Sequence, residues 1–354
     1  MIISDLVRDN VKKMKKYASA REEFKGEAKI FLDANENSFG SSSNEELNRY
    51  PEPIPIQLRK KLADYKKIND PEKIFLGNGS DEAIDLVMRA FCEPREDSIM
   101  LLPPTYGMYS VCANVNDLDI IQVNLNPDFS LNVKKIIQQA KDEKPKLIII
   151  CTPNNPSGNV YRNEDIEEIL NNVPSLVLID EAYIDFSSKT SWLERLDEFK
   201  NLIVIQTFSK AWGMAGIRLG MAFADKEIID ILNKIKYPYN INDVTTHIVL
   251  ETLNDTSKKE DMVSKIIIER AYLMKEIAKI DILNEVLPSE ANFFLARFNE
   301  AKKVYAFLKE QGIVVRDRSE QLHCEGCLRI TVGRREENDM LLDALRQYSE
   351  EDQS

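Results

Sequence analysis

Five short apolar runs punctuate the middle of this chain: Ser98–Leu102, Lys146–Cys151, Leu176–Ile179, Leu202–Ile205 and Leu219–Ala224. Each is too short for a self-burying helix, and each reads as a strand covered on both faces. Helix-length stretches separate most of them. Strands alternating with helices specify an α/β fold, a largely parallel sheet between helical layers. Open sheets of this kind bind ligands at the carboxyl ends of their strands. The residues just beyond each run are therefore where chemistry is expected.

This unit is read as one large domain over residues 37–240. From Asp243 to Asn284 the apolar residues fall at helical spacing in a charged background. Strand-like segments follow at Asn292–Phe298, Gly312–Asp317 and Leu328–Val332, with a helix at Ala301–Gln311 between the first two. They predict a smaller α+β domain over 241–354, on which residues 1–36 are expected to pack. A chain of 354 residues accommodates two such cores.

The net charge of −12, with acidic residues spread widely, argues against a nucleic-acid surface and against anionic membranes. No run approaches the roughly 18 apolar residues of a membrane span, and the first residues lack a signal-peptide core. A cytoplasmic protein is expected. Five cysteines at irregular spacing fit reduced thiols. The segment His323-Cys324-Glu325-Gly326-Cys327 invites a zinc reading, yet a structural site needs four ligands. The only other histidine is His247 and there is no second CxxC pair, so a surface turn is the expectation and no metal is assigned.

The run ending at Ile205 feeds into Thr207-Phe208-Ser209-Lys210-Ala211-Trp212-Gly213-Met214-Ala215-Gly216-Ile217-Arg218. This segment delivers a lysine, two hydroxyls and an arginine to a strand exit. A lysine amine forms a Schiff base with an aldehyde, while Arg218, Thr207 and Ser209 suit a phosphate. Pyridoxal 5′-phosphate carries both groups. A single lysine is ordinarily a solvated surface charge; the company of Lys210 is what argues otherwise.

Other strand ends supply matching parts. Gly77-Asn78-Gly79-Ser80-Asp81-Glu82 stands between Ile74-Phe75-Leu76 and a helix from Ala83 to Phe91. Its glycines and free helix-start amides suit an anion, although capped helix starts are common, and position 82 is Glu where the dinucleotide fingerprint needs glycine. Asn155, in the turn Thr152–Gly158, can present its amide to a ligand oxygen. Asp180 ends a strongly apolar strand and must find a cationic or donor partner. Against a pyridine nitrogen it would keep the ring protonated; capping the next helix is the alternative. Tyr183 is near enough in sequence to reach the same ring.

Taken in order, Leu32–Asn37, Tyr50–Pro53, Gly77–Glu82, Pro103–Tyr109, Pro153–Gly158, Asp180–Tyr183, Thr207–Arg218 and Leu328–Gly333 resemble the histidinol-phosphate aminotransferase family. The resemblance implies a fold-type I enzyme dependent on pyridoxal 5′-phosphate, a homodimer with active sites shared between subunits. It makes Lys210 the Schiff-base lysine and Asp180 the partner of the pyridine nitrogen. Asn155 and Tyr183 match the partners of the phenolic oxygen, and Tyr106 the ring-stacking aromatic. Thr207, Ser209, Arg218 and the amides of Gly79, Ser80 and Asp81 match the phosphate cup. Tyr50 looks like the tyrosine that reaches the phosphate from the neighbouring subunit. Arg329 and Arg316 match the substrate arginines, and Tyr17 a tyrosine that closes over the substrate. Ser38 and Ser157 depart from the family's usual proline and threonine.

The implied reaction is amino transfer between L-histidinol phosphate and 2-oxoglutarate, giving glutamate, within histidine biosynthesis. Threonine-phosphate decarboxylases and aromatic or aspartate aminotransferases use the same framework and stay open. A non-catalytic ligand sensor is disfavoured because no basic segment serves a DNA-binding partner domain.

Overall fold

The computed structural model describes residues 2–17, 30 and 32–352. Its larger sheet has seven strands: β1 (Ile74–Asn78), β2 (Ser98–Leu101), β3 (Asp119–Gln122), β4 (Leu147–Cys151), β5 (Leu176–Asp180), β6 (Leu202–Thr207) and β7 (Leu219–Ala224). The spatial order is β1-β7-β6-β5-β4-β2-β3. The pairs from β3 through β6 are parallel, and β7 runs antiparallel to both β6 and β1. β1 therefore points the same way as β4, β5 and β6, and all four deliver their carboxyl ends to one edge.

Strand alternation explains the burial. Ile148, Ile150, Val177, Ile179 and Val204 belong to one core cluster; Ile149, Leu176, Leu178, Ile203 and Ile205 belong to another on the opposite face. Both faces are covered, as continuous apolar runs require. At about 1.5–3 kcal/mol per fully buried aliphatic side chain, these strands anchor the sheet.

The smaller sheet is antiparallel, in the order β10-β11-β9-β8, from β8 (Leu283–Val286), β9 (Phe293–Phe298), β10 (Arg316–Asp317) and β11 (Cys327–Thr331). The Ala301–Glu310 helix and the Arg335–Asp352 helix pack on it around Phe294, Phe298, Leu308 and Leu345. Gly312, at φ 75°, ends the first of these helices, so β10 starts later than its apolar lead-in implied.

Two placements differ from expectation. Residues 3–13 do not pack on the smaller domain. Ile3, Val7 and Val11 are buried in the same cluster as Val87 and Phe91, and the Arg8 amide donates to Ala90 O at 3.0 Å. They lie on or beside two short helices, Ile3–Leu6 and Asp9–Lys13, separated by non-helical backbone at Val7 and Arg8, so tertiary packing rather than one helical stripe brings them together. Likewise Ile241, Val249 and Leu253 join the core of the larger sheet, so packing does not change over at residue 240. The segment His323–Cys327 does form the turn between β10 and β11, but Cys324 and Cys327 are buried beneath it.

Candidate active site

At the shared edge of β1, β4, β5 and β6 lies a cavity of about 300 Å³. Gly79, Ser80, Asp81, Tyr106, Asn155, Asp180, Tyr183, Thr207, Ser209, Lys210 and Arg218, all singled out in the sequence, line it. A chain that brings residues so distant in sequence to one recess does so because four strands end there together.

Asp180 is the last residue of β5 and only 3% exposed. Tyr109 donates its hydroxyl to Asp180 Oδ2 at 2.5 Å, and the Ala182 amide donates to Oδ1 at 3.0 Å. Burial pushes the carboxyl up to about 6, while the Tyr109 and Ala182 hydrogen bonds and Lys210 pull it down. A carboxylate so placed favours a cation or a protonated nitrogen facing it.

Another part of the same lining suits an anion. The Ser80–Phe91 helix begins after Gly79, and no side chain caps it. The Gly79 amide donates to Arg218 O at 3.0 Å, which leaves the helix's own first amides, those of Ser80 and Asp81, as the donors at the positive end of the helix dipole. Gly79 has φ 76° and ψ 169°, a backbone conformation that favours glycine, and a Cβ there would stand 2.7 Å from Arg218 Nη2 and push that side-chain tip aside. Arg218 is itself in the left-handed region, at φ 54°. Thr207 Oγ1 lies 3.0 Å from Ser209 Oγ and accepts from the Ser209 amide at 3.1 Å.

Lys210 lines the same cavity, with its amine 5.6 Å from the centre of the Tyr183 ring. Desolvation first, then the Arg329 guanidinium, holds that amine below the usual lysine range, with Asp180 and Asp81 opposing. Asn155 donates toward the Tyr183 hydroxyl at 3.4 Å and accepts from Arg329 Nη1 at 2.5 Å. Arg329 sits on β11 with its guanidinium 5.2 Å from the centre of the Phe293 ring. The smaller sheet thus reaches into the edge of the larger one. Tyr106 packs edge-on against Tyr109 at 5.4 Å, and burial pushes its phenol up to about 12.

Four of the sequence-derived residues fall outside the cavity's lining: Arg329, which meets it through Asn155, and Arg316, Tyr50 and Tyr17. Arg316 lies directly across the antiparallel register from Arg329 and is exposed. Tyr50 is 51% exposed and stacks on Tyr239 at 4.6 Å. Tyr17 is 69% exposed, in a separate recess with Pro53 and Lys236, so within one chain it does not approach Lys210. Sequence reasoning missed the role of Tyr109. The signal was available: a buried aspartate demands a donor, and Tyr109 stands one helical turn from Tyr106.

A larger recess, about 490 Å³, lies among Tyr65, Lys66, Asp185, Ser191 and Gln206. It is the bigger space but lacks the converging set: Asp185 and Asp197 on its wall are paired with Lys259 and Lys73, and the short helix that starts there is already capped, Ser191 accepting from the Leu193 amide. The smaller cavity carries the chemistry.

Comparison with known proteins agrees with this geometry. The family model described as aminotransferase class I and II matches residues 21–345. The histidinol-phosphate aminotransferase of Cytophaga hutchinsonii is 50% identical over 98% of this chain and 99% of that protein. The enzyme of the same name from Parabacteroides distasonis is 52% identical over 97% and 98%. Among solved structures, the histidinol-phosphate aminotransferase from Clostridium acetobutylicum superposes with a TM-score of 0.80 at 26% identity, covering 86% of this chain and 92% of that one.

Proposed function

The chain belongs to the class I and II aminotransferase family, and from that premise we propose that it is a histidinol-phosphate aminotransferase. It moves the amino group of L-histidinol phosphate to 2-oxoglutarate, reversibly, in histidine biosynthesis. The observation that carries the reading is the convergence of groups on one cavity: a helix-start anion cradle, a lysine and a buried carboxylate, with an arginine from the second sheet hydrogen-bonded to Asn155 of its lining.

That set fits pyridoxal 5′-phosphate. The uncapped helix start, Thr207, Ser209 and Arg218 would hold its phosphate. Asp180 would face the ring nitrogen, Asn155 and Tyr183 the phenolic oxygen, and Tyr106 the ring face. When bound, the cofactor supplies an aldehyde for amino groups and a protonated ring that draws electrons from the substrate's α-carbon.

The protein's own groups do the rest. Lys210, with its amine held below the usual range by desolvation and Arg329, has a larger neutral fraction than a fully solvated lysine. It serves as nucleophile and then as carrier of the α-proton. Asp180, kept in place by Tyr109 and the Ala182 amide, would hold a proton on the ring nitrogen of the bound cofactor. Arg329 and Arg316 bind the substrate's anionic groups through guanidinium forks. Burial of Asp180 and Tyr183 keeps water from these pairs and strengthens them.

The remaining assignments extend the reading. The enzyme acts as a cytoplasmic homodimer in which Tyr50 serves the partner's site; its exposure and its place outside this chain's cavity lining support that. Tyr17 covers the substrate only if the dimer or closure brings it there. The larger sheet forms the cofactor domain, centred on residues 37–240, and the smaller sheet a substrate-side domain. Among the described residues no helix is long and apolar enough to cross a membrane.

The test is direct. Protein loaded with pyridoxal 5′-phosphate is given L-histidinol phosphate and 2-oxoglutarate, and glutamate is measured, with phosphothreonine run in parallel. Glutamate from the first pair alone supports the reading. Carbon dioxide from phosphothreonine, without glutamate from histidinol phosphate, moves the protein to the decarboxylases.

A further inference from the structure

β10 and β11 carry like charges face to face. Arg316 is directly opposite Arg329 in the antiparallel register, an arrangement that weakens a sheet unless something of opposite charge lies between. The ladder continues past the strand, because the Arg318 amide donates to Cys327 O at 2.9 Å. Arg318 therefore shares a face with Arg316, two residues before it. Burial and Arg316 together hold the Arg318 guanidinium below the usual range, and burial and Arg318 do the same to Arg329. Tyr183, which lines the cavity, acts electrostatically on both Arg318 and Arg329.

Arg318 Nε is buried and has no hydrogen-bond partner among the described residues. The nearest carboxylate in sequence is already engaged: Asp317 Oδ1 accepts from both the amide and the hydroxyl of Ser319. A buried guanidinium donor left unmatched is costly, and natural sequences keep such an arrangement where a ligand completes it.

We infer that Arg318 is a third guanidinium of the substrate pocket, acting with Arg316 and Arg329 on the phosphate of the amino substrate. This rests on the aminotransferase reading above and adds to it a determinant of substrate choice. A carboxylate offers two oxygens and one charge, which a single guanidinium fork satisfies. A phosphate monoester offers three terminal oxygens and nearly two charges, so it draws on more than one fork. Arg318 therefore matters more for the phosphorylated amino donor than for glutamate. The competing account is structural: Gln321 Oε1, in the same turn, is also buried without a partner, and Arg318 would then only support that turn.

The experiment uses the loaded enzyme and the variants Arg318→Gln and Arg318→Lys. KM and kcat are measured separately for L-histidinol phosphate and for glutamate, with inhibition by inorganic phosphate and thermal melting beside them. The expected result for Arg318→Gln is a KM for histidinol phosphate raised roughly ten- to hundredfold, the range for losing one charge-assisted bidentate contact. The glutamate KM should stay within about threefold, inhibition by phosphate should weaken, and the melt should hold. Arg318→Lys should fall between, because charge remains and the fork is lost; it also serves if the glutamine variant fails to fold. Equal changes for both substrates, or a lowered melt with both KM values unchanged, would overturn the assignment in favour of the structural role. A wild-type enzyme inactive on histidinol phosphate would remove the reading itself, and the inference with it.

Discussion

Replacing Tyr109 by phenylalanine removes one hydroxyl from the base of the site and leaves a ring of nearly the same shape. That hydroxyl donates to Asp180 Oδ2 at 2.5 Å, and both residues are buried. A hydrogen bond to a buried charged group is worth about 1.5–3 kcal/mol, and one pKa unit corresponds to about 1.4 kcal/mol. Losing the donor should raise the Asp180 carboxyl by one to two pH units, from about 6 in the wild type to roughly 7–8. The sign follows from linkage. A folded carboxyl above its unfolded value of about 3.9 favours folding fully below that value. The benefit is lost as pH rises through the folded pKa. In the wild type this loss runs from about pH 4 to 6; in the variant it continues for one to two further pH units. Urea denaturation of the cofactor-free protein at a series of pH values reads the difference. The gap between wild type and variant should be smallest near pH 5. It should widen by about 1.4 kcal/mol per pH unit above 6 and level off near pH 8. A gap that stays constant from pH 5 to 8.5 would show that Tyr109 does not govern Asp180, and would refute the argument.

Further outcomes follow from the same geometry. Gly79→Ala places a Cβ 2.7 Å from Arg218 Nη2 on a backbone at φ 76°. With about 1–2 kcal/mol of strain, affinity for pyridoxal 5′-phosphate measured by fluorescence quenching should drop about tenfold or more, and unchanged affinity would argue against the cradle. Arg329→Lys breaks the 2.5 Å contact to Asn155 Oδ1 and the fork offered to substrate. The KM for 2-oxoglutarate should rise by at least about tenfold with a smaller loss in kcat. Mixing Lys210→Ala subunits with Tyr50→Ala subunits should restore roughly a quarter of the wild-type sites if Tyr50 serves the partner's site; no recovery from two inactive parents that exchange subunits would place Tyr50 outside it.

The parallel sheet was legible because β4, β5 and β6 are apolar without interruption, a pattern that only burial on both faces explains. β3 and β8 were not, because both lie at sheet edges and alternate with polar residues such as Asp119, Gln122, Asn284 and Glu285. Within the site, Asp180 and Lys210 stood out as charged residues at the ends of apolar strands. Tyr109 did not, since its function depends on which strand end its helix faces. The docking of residues 3–13 on the larger domain was illegible for the same reason: apolar residues such as Ile3, Val7 and Val11 declare that they will be buried, and tertiary structure decides against what. Arg318 looked like any charge in a loop until the register of β10 on β11 set it beside two others.

The central claim is that Lys210 carries the covalent chemistry of this cavity. Borohydride reduction of the protein loaded with pyridoxal 5′-phosphate, followed by proteolysis and mass mapping, tests it most directly. The account predicts a single phosphopyridoxyl adduct on the peptide containing Lys210, lost when L-histidinol phosphate is added before the reductant. An adduct on another lysine, such as Lys66 in the larger recess, or an adduct at Lys210 that histidinol phosphate leaves untouched, would contradict it.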